Sequence, residues 1–147
     1  MSETPPVDPF LQRYHGYCRG ILRWSELDAL WQRLTADDSA WYLYAVGETP
    51  PEEPVAGRVL AEQITALDTL LRQAHDEDYC GIVYCDDPTA PRLIKVYDPN
   101  NLGSVCGSGM GPPPLPGWVL SHDRPVQLAA PPPPAGRRRW WQRLLGG

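Results

Sequence analysis

Cys106 lies in a run, residues 100–111, where Gly103, Gly107, Gly109 and Gly111 surround it. Glycines beside a cysteine can turn backbone N–H groups toward an anion and leave the thiol accessible. A thiolate nucleophile also needs a base and an acid to orient that base. His75 or His122 could supply the first, and Asp98 or Asp123 the second. On this reading the chain is a thiol-dependent enzyme or redox domain centred on Cys106. The simpler reading of the same residues is a surface loop between strands.

His75, Cys80, Cys85 and Cys106 are ligand types that zinc accepts, but four, four and twenty residues separate them and no Cys-x-x-Cys knuckle is present. Within one strand, positions 80 and 85 point to opposite faces, so both could ligate one ion only if the strand bends. Buried thiols beside a helix-terminal histidine account for these residues without a metal. The acidic clusters Asp76-Glu77-Asp78 and Asp86-Asp87 flank the strand that contains Tyr79 to Cys85, and read as solvated helix-end and hairpin residues. No metal or other cofactor is expected.

The elements that would position these side chains follow from periodicity. Asp8-Pro9 places a capping carboxylate before a proline suited to a first helical turn. The apolar stripe that follows is Phe10, Leu11, Tyr14, Tyr17, Cys18, Ile21 and Leu22, with Gly16 and Gly20 weakening the helix. Ser25 and Asp28 resemble a capping box for a second helix carrying Leu27, Leu30, Trp31 and Leu34. Residues 41–46 are apolar on both alternating faces, the pattern of a central strand. Leu60, Ile64, Leu67, Leu71 and Ala74 mark the longest helix over 56–75.

Residues 81–85 and 92–97 form two strands of an antiparallel hairpin, and a last short strand covers 118–121. The connector 112–118 is proline-rich and extended. The order α-α-β-α-β-β-β predicts an α+β fold, helices packed on a small, mostly antiparallel sheet. Residues 1–7 are expected to be disordered, 8–128 to form one globular domain, 129–136 to be a proline-rich linker and 137–147 a tail.

Charge divides along the same line. All 18 acidic residues precede residue 131 and only nine of the 13 basic ones do, so the first 130 residues carry −9 and the tail +4. An acidic body argues against nucleic acid as the main partner. No stretch approaches the ~20 apolar residues needed to span a bilayer, and residues 1–6 lack a basic n-region and an apolar h-region, so a cytoplasmic protein with reduced thiols is expected.

The tail itself carries the strongest binding signal. At about 100° per residue, Trp140, Trp141, Leu144 and Leu145 gather on one helical face, opposite Arg138, Arg139, Gln142 and Arg143, with Arg137 beginning the run. A helix this short is marginal alone in water and should order only where something buries its apolar face. That something could be a groove on a protein partner, an anionic membrane surface, or the chain's own domain.

Arg143-Leu144-Leu145-Gly146-Gly147 resembles the membrane-targeting amphipathic helix of Min-system ATPases of bacterial cell division, which combines basic and bulky apolar residues and closes in this way. The resemblance covers residues 137–147 alone. It implies peripheral tethering at the inner membrane. The body has no phosphate-binding Gly-Lys-Ser/Thr loop to extend it. Together these features read as a bacterial-type, non-catalytic accessory or adaptor protein whose tail (Arg137, Arg138, Arg139, Trp140, Trp141, Arg143, Leu144, Leu145) docks to a protein partner or an anionic membrane.

Overall fold

The computed structural model describes residues 8–36, 39–75, 77–99, 115–130 and 133–146. Its elements run α1 (Pro9–Tyr14), β1 (Arg19–Ile21), α2 (Trp24–Ala36), β2 (Tyr42–Ala45), α3 (Gly57–Ala74), β3 (Val83–Cys85), β4 (Leu93–Val96), β5 (Trp118–Ser121) and α4 (Ala135–Gly146). The fold is α+β: the strands form one antiparallel sheet in the order β1-β3-β4-β5-β2. β3 and β4 make the expected hairpin, with Val83 opposite Val96 and Cys85 opposite Ile94. The chain order differs from expectation by an added first strand and a last helix.

Strand alternation divides the core in two. Leu43 and Ala45, Val83 and Cys85, Ile94 and Val96, and Trp118 and Leu120 join the side chains of α2, α3 and α4 in one cluster. Tyr44, Val46, Leu93 and Val119 join Phe10 and Tyr14 of α1 and Leu128 in the other. In α3, Leu60, Ile64, Leu67 and Leu71 are buried as their spacing requires, each contributing roughly 1.5–3 kcal/mol of gross transfer free energy. The Tyr44 hydroxyl accepts a hydrogen bond from the Leu128 N–H at 3.0 Å, anchoring the segment after β5 to the second face.

Three local expectations are corrected. The first helix stops at Tyr14, and residues 19–21, read as its continuation, form an edge strand instead. Asp8 does cap it, accepting from the N–H groups of Phe10 and Leu11. Gly20 explains why a strand wins at its end of the segment: it stands opposite Tyr84, whose ring lies 3.1 Å from where a Cβ would be, so the ring covers the bare backbone. The second helix begins one residue before Ser25, and Glu26 receives the Arg23 N–H at 3.0 Å, so the reciprocal half of the cap comes from Glu26, not Asp28. Residues 41–46 were expected at the sheet centre. β2 lies at its edge, and its two apolar faces are explained by cores on both sides and by the backbone bridge between Trp41 and Val55.

Candidate functional site

α4 is packed on the body, so the chain's own domain, one of the three covers its apolar face allowed, buries that face. It begins at Ala135, inside the span read as linker, and the Arg138 N–H donates to the Pro134 carbonyl at 2.9 Å. Trp141 is only 4% exposed, and Trp140 and Leu144 are partly buried against the same core. Trp118, at the start of β5, meets the edge of Trp140 at 5.9 Å and lies 6.3 Å from Trp141. The face that amphipathicity marked as apolar is therefore the face that docks.

Two carboxylates fix the basic side. Asp98, just after β4 and buried, accepts from Arg137 Nε at 2.8 Å and Nη2 at 3.3 Å, a two-pronged charge-assisted contact. Glu48, in the turn after β2, lies 2.8 Å from Arg138 Nε but without hydrogen-bond alignment, so that contact is an ion pair alone. Arg139, Arg143 and Leu145 face outward. The roles of Asp98 and Glu48 were not legible in sequence: nothing in their local pattern marks a carboxylate as the counter-charge for an arginine 39 or 90 residues later.

The histidines and carboxylates suggested as partners of the thiol have other contacts. Cys106 and residues 100–111 lie outside the described residues. His75 Nε2 is 2.9 Å from the Cys80 carbonyl, and the His122 ring stands edge-on to Trp41 at 4.1 Å. Asp123 accepts from Arg13 Nε at 2.9 Å, and Asp98 holds Arg137. Cys80 and Cys85 are both buried in the larger core cluster, because the chain bends at Gly81 (φ +68°) before β3 begins. Among the described residues, no three His, Cys, Asp or Glu side chains gather to hold a metal ion.

Burial governs the thiols. It pushes Cys18 and Cys80 above the ordinary value of 9.0, and Cys85 up to about 12, with the neighbouring Asp86 carboxylate adding to the rise at Cys85. Burial likewise pushes Tyr14 from 10.0 up to about 12, aided by Tyr97. A folded state that holds these protons longer than the unfolded chain is fully favoured below about pH 9 and loses that advantage as pH rises toward about 12. The thermal midpoint should thus be flat from about pH 7 to 8.5 and fall above about pH 9. Tyr14→Phe should make the fall shallower, as followed by near-ultraviolet circular dichroism.

Comparison with protein-family models, with curated proteins and with solved structures finds no match.

Proposed function

We propose that the protein is a non-catalytic adaptor whose α4 is a recognition helix, held on its own body in the free chain and transferred to a groove on a protein partner. The observation that carries this reading is the docking site itself. An aromatic floor at Trp118 and two carboxylates, Asp98 and Glu48, engage a helix that follows a run of prolines. A partner offering the same chemistry, an apolar slot with an acidic rim, would replace these contacts like for like. Arg139, Arg143 and Leu145, already exposed, provide the first points of contact.

An anionic membrane, the target implied by the Min-type resemblance, is the second reading. No helix among the described residues is long and apolar enough to cross a membrane, so the attachment would be peripheral. Four arginines near an anionic surface contribute about 1 kcal/mol each. Releasing Trp141 and the Asp98 ion pair costs at least as much. A bilayer offers no fixed carboxylates in exchange, which favours the protein partner.

The test is capture from native lysate by the full chain, alongside sedimentation with vesicles rich in phosphatidylserine. Asp98→Asn, which removes the charge that clamps Arg137 without emptying the core, should increase capture of specific proteins, and Leu144→Glu should abolish it. Sedimentation with vesicles that disappears with Leu144→Glu would favour the membrane. If neither substitution alters either assay, α4 is only a terminal structural helix.

A further inference from the structure

The chain changes sides of the sheet to deliver α4. Leu128 is buried and Ala130 partly buried against the cluster of Phe10, Tyr14 and Tyr44, whereas Trp140, Trp141 and Leu144 pack with the cluster on the opposite face. Four residues lie between Ala130 and Ala135, and all four are proline. A polyproline run advances about 3.1 Å per residue, so four of them reach only about 12 Å, while one packed layer is about 10 Å thick. Proline also fixes φ at about −65°, which leaves such a connection little freedom to bend back or to take up slack. The link into α4 is thus short and stiff for the crossing it makes.

The cradle that receives α4 does not depend on that link. Trp118, Asp98 and Glu48 all belong to the body, and the contacts they make, with Trp140 and Trp141, with Arg137 and with Arg138, lie beyond the prolines. The same helix arriving from another chain meets the same aromatic floor and the same two carboxylates. Charge favours that arrival: the first 130 residues carry −9 and the tail +4, so the tail of one copy is drawn to the body of another.

We propose that a second copy of this chain is a partner for α4: two molecules exchange the helix reciprocally, each α4 lying in the other's cradle. Every docking contact is kept in kind, so the exchange costs the independent motion of one molecule and gains whatever the prolines gain by running straight between two bodies. It rests on the adaptor reading in one respect, that α4 can dock on a body other than its own. Because α4 stays docked in the free chain until the body unfolds, exchange takes place during folding. A neighbouring chain then competes with a short tether whose effective concentration is on the order of millimolar.

The test is the mass of the full chain, measured by light scattering after refolding from denaturant and dilution. Refolding at roughly millimolar protein should leave a dimer that persists on dilution, and refolding at micromolar protein a monomer. A variant lacking residues 131–133 keeps Pro134, whose carbonyl accepts from Arg138, but loses about 9 Å of reach, and should be a dimer under both conditions. Inserting a flexible Gly-Ser repeat after Ala130 should give a monomer under both. In the shortened dimer Arg137→Met breaks contacts between chains, so the dissociation constant should rise at least about a hundredfold, whereas a dimer joined through other surfaces would keep its mass. A wild type that refolds only to monomer at high concentration, a shortened chain that stays monomeric, folded or unfolded, or a dimer indifferent to Arg137→Met overturns the exchange. The adaptor reading survives each of those results if the wild type still captures specific proteins and Leu144→Glu still abolishes the capture.

Discussion

Trp141→Ala should destabilise the whole protein by about 3–5 kcal/mol, the cost of emptying a fully packed aromatic site. The sequence alone points the other way: a short cationic helix beyond a proline run suggests that residues 137–147 can be removed with no effect on the fold. Docking reverses that expectation. Trp141 belongs to the same buried cluster as Leu67, Leu71 and Trp118, so its loss opens the central core. In denaturant titrations of the free chain the midpoint should fall at constant slope, because with no partner to receive it α4 stays docked until the body unfolds. A reduced slope with an unchanged midpoint for the body would show that α4 already undocks in the free chain without a partner.

Arg137→Met should cost about 3 kcal/mol at neutral pH. Asp98 is 5% exposed, and Arg137→Met removes the two-pronged guanidinium contact that offsets the cost of burying its charge. The compensated variant, Arg137→Met with Asp98→Asn, should recover most of the loss, because removing both charges of a buried pair is far less costly than removing one. Arg138→Met, which touches Glu48 from a half-exposed position, should cost less than about 1 kcal/mol. Equal costs for the two arginines would contradict the division of labour between a buried clamp and a rim contact.

What could be read from the sequence depended on the range of the interactions. α3 and the β3–β4 hairpin were legible because their signals are local, a helical stripe in one and two strands around a tight loop in the other. β1 was not, since the residue that makes Gly20 favourable in a strand is Tyr84, 64 positions away. The edge placement of β2 was hidden for a related reason: a strand buried on both faces looks central whether its second neighbour is another strand or a short bridge to Val55. The apolar face of α4 was evident, but its occupant was not, because amphipathicity specifies a face to be covered without specifying the cover.

The strand order also has a consequence for synthesis. Among the described residues, β2 pairs within the sheet with β5 alone, and Trp118 is made 73 residues after Ala45. At about 5–20 residues per second, the ribosome leaves β2 without its neighbour for roughly 4–15 s. Throughout that interval the nascent chain carries Trp41, Tyr42, Leu43, Tyr44, Ala45 and Val46 as an uncharged apolar run, the composition most prone to intermolecular strand pairing. The β3–β4 hairpin can form early, yet it cannot shield β2 until β5 joins them. Yield during expression should therefore depend on chaperone supply at that stage of translation more than on the stability of the finished fold.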